Sequence, residues 1–146
     1  NAKHYLPVND LSIPTGEINS VSNSRFDFLH PRKLTQIVAG KEEPIDHNFC
    51  LSETQTTLRE VATLSSSLSN ITLTISSTEA GLQFYTGHHL SATPDGYNKC
   101  SYKPFSGLCL EPQAWPDAPN QPGFPSIFLP ANTLYQQISC FEFNIK

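Results

Sequence analysis

Short runs of β-branched and aromatic residues, each ended by Gly, Pro or a polar cluster, set the pattern of this chain. Ile71, Leu73 and Ile75 alternate with Thr72 and Thr74, the period-two pattern of a half-buried strand. Strands are predicted on this basis over 58–64, 71–76, 82–86, 107–111 and 140–145. A polar turn at 65–70 and a break at 78–81 separate the first three, which read as a β-meander. Helical spacing is scarce. Leu34, Ile37 and Val38 stand at i, i+3 and i+4, which predicts one short helical turn before Gly40. Twelve prolines and seven glycines punctuate the remainder. The fold class that follows is all-β, an antiparallel β-sandwich.

The same alternation sorts side chains that could carry chemistry. Leu82 and Phe84 share one face, and Gln83 and Tyr85 share the other. A solvent-facing Gln and Tyr would be unremarkable. The pair also suits a sugar, whose hydroxyls bond an amide and whose C–H surface packs on a ring. In the next strand Leu108 and Leu110 point inward, leaving Cys109 and Glu111 on the opposite face. Pro112 has no N–H to give a ladder, so the strand is expected to end or bend there. A carboxylate therefore stands at a strand end, beside a loop from Pro112 to Pro130 that holds six prolines and Trp115. A loop of this length is either functional or held down by packing.

Composition narrows the classes of partner. The net charge is −4, with nine Lys and Arg in all and no basic cluster, which argues against nucleic acid. The longest apolar runs are too short for a helical membrane span, and with no charged stretch leading into an apolar run at its start, no signal peptide is expected. Cys50, Cys100, Cys109 and Cys140 are widely spaced and contain no C-x-x-C, so neither a metal site nor a disulfide scaffold is expected. Cys100 and Cys109 could still bridge a short loop. Free thiols suggest a cytoplasmic protein, although Asn70-Ile71-Thr72 is a sequon that a secreted protein would use. Asn at position 1 and the absence of any Met suggest an internal fragment, a processed chain or an incompletely defined N-terminus.

Four blocks carry a more specific signal. Gly107–Pro122 includes Leu110-Glu111-Pro112-Gln113 followed by Pro116-Asp117-Ala118-Pro119-Asn120. Upstream stand Tyr5-Leu6-Pro7-Val8 with Ile13-Pro14-Thr15-Gly16-Glu17-Ile18, Ile45-Asp46-His47-Asn48-Phe49, and Gly81-Leu82-Gln83-Phe84-Tyr85-Thr86-Gly87. In this order they resemble the C-terminal part of the galactose mutarotase (aldose 1-epimerase) family, over nearly the whole chain. Ile45 replaces the Tyr of the family's Tyr-Asp-His-Asn-Phe motif.

The resemblance implies part of a galactose mutarotase-like supersandwich, with residues 1–146 as its C-terminal portion and the N-terminal portion absent. It implies interconversion of the α and β anomers of an aldose, galactose or glucose, with no metal or cofactor. Glu111 matches the family's base, and Asp46 and Gln83 match residues that contact sugar hydroxyls. The family's acid is a histidine from its N-terminal half, which nothing here matches. His4 and His47 belong to other motifs, His47 being expected to orient its loop, and His88 and His89 are expected in a loop at the site rim. A second polypeptide or a preceding segment is therefore expected to supply the acid and complete the sandwich. A lectin-like module without catalysis and an inactive fragment are the alternatives.

Overall fold

The alternation in the segment after Pro44 decides how the main sheet is built. His47 and Phe49 face one way, and Asp46, Asn48 and Cys50 the other. A computed structural model of the chain describes residues 1–34, 37–38, 41–42, 44–91 and 96–145, the pairs 37–38 and 41–42 by backbone alone. Ten strands occur among these residues: β1 (His4–Tyr5), β2 (Asn19–Ser20), β3 (Ile37–Val38), β4 (Lys41–Glu42), β5 (Asp46–Cys50), β6 (Arg59–Ser65), β7 (Ile71–Ser77), β8 (Gly81–Tyr85), β9 (Cys109–Gln113) and β10 (Ser139–Ile145). They form antiparallel sheets in the orders β2-β1-β5-β8-β9, β10-β7-β6 and β3-β4. The all-β expectation holds.

Three local expectations do not. Leu34, Ile37 and Val38 predicted a helical turn, but Ile37–Val38 is a strand paired with Lys41–Glu42. Branching at Cβ in both residues favours the extended chain. Gly40, where that helix was to end, lies outside the described residues. The meander is also broken. β6 and β7 form a hairpin, but β8 leaves that sheet and pairs with β5 and β9. Lastly, β9 continues through Pro112, which stands opposite Leu82. β9 is an edge strand, so a residue without an N–H can sit in it without breaking a second ladder.

The corner between β7 and β8 is polar and buried, which is why it does not read as a sheet crossing. Ser77 and Glu79 are almost wholly enclosed. The Ser77 and Ser139 hydroxyls lie 3.1 Å apart, and the Ser77 Oγ accepts from the Glu79 N–H at 3.0 Å. Arg59 donates to the Ser77 and Glu79 carbonyls at 3.0 and 3.1 Å and to the Ser52 Oγ at 3.2 Å. One guanidinium thus bonds to both flanks of the crossing and to the chain just after β5.

One apolar face of the main sheet is the first core. Phe49 and Phe84 pack with Val21, Phe26, Ile45 and Ala2, and Leu108 and Leu110 close its side as the alternation predicted. His47 lies on this face, in a strand and not in the expected loop, with its ring 4.6 Å from Phe26 and 5.9 Å from Tyr5. Its Nδ1 accepts the Asp46 N–H at 3.1 Å, as a neutral imidazole does. Burial, reinforced by the Arg25 charge, lowers its pKa to about 4.

The unfolded chain therefore binds more protons than the folded one between pH 6.5 and 4, and stability falls as the pH is lowered through that window. The full shift would correspond to about 3 kcal/mol, and solvent screening of a half-buried ring reduces the expected loss to about 1–2 kcal/mol. His47→Phe should lose correspondingly less stability between pH 7 and pH 4.5, measured by urea midpoints. An equal acid loss in both proteins would show that His47 does not contribute.

Candidate active site

Cross-strand register gathers the opposite face of the main sheet into a polar row. Asn48 stands opposite Gln83, and Gln83 stands opposite Glu111. Directly paired residues share a face, so side chains from three strands meet without any loop having to place them. Asp46, two residues from Asn48, is the diagonal neighbour of Gln83, whose Nε2 donates to the Asp46 Oδ1 at 2.7 Å. The three residues expected to form the site, Asp46, Gln83 and Glu111, do line one cavity of about 290 Å³. Tyr85, considered with Gln83 as a sugar contact, has another duty, since its hydroxyl accepts the His89 N–H at 2.8 Å.

Alternation also brings in two residues not singled out from sequence. Asn48 and Gln113 each stand two positions from a predicted site residue, on the same strand and the same face. Counting in twos from Asp46 and from Glu111 would have found both. Leu6, Val8, Ser12 and Pro14 complete one side of the cavity, and they come from a turn with no such signal. There the Asn9 Oδ1 accepts the N–H groups of Leu11 and Ile13 at 2.9 and 3.1 Å, and Ser12 takes a left-handed φ of 60°.

The proline-rich segment forms the wall that contributes Pro116. Trp115 is buried against Phe124, with ring centroids 5.3 Å apart at 78°, and its Nε1 donates to the Ala80 carbonyl at 3.0 Å. Asp117 turns the chain in a left-handed conformation at φ 61°, just before the 3₁₀ turn Ala118–Asn120. Its carboxylate accepts from the Asn120 Nδ2 at 2.6 Å and the Gln121 Nε2 at 2.8 Å, which holds its pKa below the usual value. The Gln121 Nε2 also donates to the Pro14 carbonyl at 3.1 Å, tying this wall to the turn across the cavity. A Cβ on Gly16 would lie 2.6 Å from the Gln121 Oε1, so the Pro-Thr-Gly and Pro-Asp-Ala-Pro-Asn-Gln segments fit each other closely.

The chemistry of the lining is acceptor-rich. Asp46 and Glu111 contribute carboxylates, Asn48, Gln83 and Gln113 contribute amides, and among the described residues the lining includes neither a basic side chain nor an imidazole. Glu111 is exposed and makes no side-chain hydrogen bond among the described residues, so its oxygens are open to a ligand. His88 and His89 occupy a turn just after β8, as the loop expectation held. All four cysteines are free thiols. Cys50 is buried, and that burial pushes its thiol up to about 12, so it behaves as an inert apolar group.

The match to known proteins is consistent with this arrangement. The family model described as aldose 1-epimerase matches residues 1–140, and the chain belongs to that family. Galactose mutarotase of Bos taurus is 39% identical over 145 residues, covering 99% of this chain and 42% of that protein. Aldose 1-epimerase of Escherichia coli is 30% identical over 149 residues, covering 97% and 43%. A crystal structure of the GalM/aldose epimerase homologue from C. elegans superposes with a TM-score of 0.87 at 28% identity, over 99% of this chain and 44% of that one. The chain thus spans about two fifths of the length of the relatives it matches.

Proposed function

We propose that this chain is the C-terminal portion of an aldose 1-epimerase that interconverts the α and β anomers of galactose or glucose, with Glu111 as the base. The observation that carries this reading is the Asn48–Gln83–Glu111 row with Asp46 bonded to Gln83, all on one cavity wall. Carboxylates and amides present acceptors to the hydroxyl donors of a sugar. Glu111 takes the C1 hydroxyl proton as the C1–O5 bond breaks, giving an open-chain aldehyde whose O5 must receive a proton. Asp46 and Gln83 hold ring hydroxyls during the step. The acid that protonates O5 comes from a second polypeptide or a further segment, which also completes the sandwich. The four free thiols favour a cytoplasmic setting, in which the Asn70 sequon goes unused.

One observation favours a second reading. Among the described residues the cavity lining has carboxylates and amides but no imidazole, which suits a lectin-like module that binds sugar without turning it over. Polarimetry of fresh α-D-galactose with the protein as it occurs in its organism separates the two. Mutarotation above the buffer rate is expected for the epimerase. Background rate together with saturable galactose binding, lost in Asp46→Ala, would instead establish the binding module.

A further inference from the structure

We infer that Asn48 is a sugar-binding residue of this site, its amide being left unpaired by the protein for a hydroxyl group of the ligand. The inference rests on the sugar-site reading above. Asn48 is 1% exposed, yet neither its Oδ1 nor its Nδ2 has a hydrogen-bond partner among the described residues. A buried amide without partners is costly, and folded proteins seldom retain one without a use for it. Here both atoms belong to a side chain lining the cavity shared with Asp46, Gln83 and Glu111. The Gln83 Oε1 beside it is likewise unpartnered among the described residues, while the other end of that amide is engaged by Asp46.

The surroundings hold the amide in place without satisfying it. A Cβ added to Gly81 on the neighbouring strand would lie 2.4 Å from the Asn48 Oδ1 and 3.1 Å from its Nδ2. Glycine at 81 is thus the vacancy into which the Asn48 amide fits, and its φ is not in the left-handed region, so clearance is the reason for it. A hydroxyl group both donates and accepts, and an amide offers it one acceptor and one donor side by side. Asn48 and Gln83 together present this complement to neighbouring hydroxyls, which neither carboxylate can do, since carboxylates only accept.

A residue kept unpaired for a ligand limits stability and promotes binding, whereas a structural asparagine supports the fold. The test is D-galactose titration calorimetry and thermal melting of the wild type and Asn48→Leu, expressed in the host organism so that any partner is retained. Asn48→Leu should bind galactose about tenfold more weakly and, without sugar, melt about 3 °C higher. Unchanged affinity, or a lower melting temperature with affinity kept, would overturn the inference. Should leucine overpack the site, Asn48→Ala carries the affinity comparison, with a loss under twofold counting against it. Gly81→Ala keeps the amide but displaces it and should weaken binding too. A wild type that binds no galactose defeats the sugar-site reading itself. A wild type that binds, with variants that bind equally, defeats only the role of Asn48.

Discussion

Under the proposed epimerase reading, Glu111→Gln in the complete protein is expected to slow mutarotation about 10³-fold, within the range that a positioned acid–base group supplies. Gln fills the volume of Glu and keeps an acceptor oxygen, but it cannot take the C1 hydroxyl proton at neutral pH. The side chain is exposed and makes no hydrogen bond among the described residues, so no folded-state partner is lost. Melting temperature should therefore be unchanged. Galactose affinity should stay within a few fold, because Asp46, Asn48 and Gln83 are untouched. Removing an interaction made only in the transition state lowers kcat and kcat/KM together, and polarimetric progress curves at several galactose concentrations show that split. Turnover close to that of the wild type would remove Glu111 from the role of base. A rise in KM with kcat preserved would make it a binding group instead.

What could be read ahead from the sequence follows the reach of each interaction. β6, β7 and β10 were legible because alternation and β-branching are local, and they fall within a residue or so of their expected bounds. Counting in twos set Gln83 and Glu111 each on the polar face of its own strand, and the same count supports Asn48 and Gln113; that these faces are one follows from the cross-strand register. The crossing from β7 to β8 was not legible. Its buried Ser77 and Glu79 look like turn residues until Arg59 and Ser139 are brought to them from other parts of the chain. The two-residue strands β1 and β2 carry no periodic signal at all, and their pairing, β2 with β1 and β1 with β5, depends on long-range register. For the same reason the cavity side made by Leu6, Val8, Ser12 and Pro14 is a tertiary feature. The left-handed turn at Asp117 and the Gln121 bridge to Pro14 give a physical account of why Pro-Asp-Ala-Pro-Asn-Gln works as a recognisable block.

That account makes Trp115 the residue on which the proline-rich wall depends, and Trp115→Ala is expected to cost about 3–5 kcal/mol. The indole is 5% exposed and belongs to a second core cluster with Leu6, Cys50, Ala80, Ala118 and Phe124. Leu6 also lines the cavity, and Pro116 follows Trp115 directly, so collapse of this cluster would move two parts of the site. The loss should come from packing and not from the indole hydrogen bond. The Ala80 carbonyl that accepts the Nε1–H also accepts from the N–H groups of Leu51 at 2.9 Å and Ser52 at 3.1 Å, so it stays satisfied without the indole. Trp115→Phe, which keeps a ring against Phe124, should therefore lose only about 1–2 kcal/mol. Urea denaturation of the two variants measures the difference. Equal losses would mean that the hydrogen bond, not the filled volume, holds the wall in place. A small loss in both would mean that the Asp117 and Gln121 contacts suffice without the tryptophan.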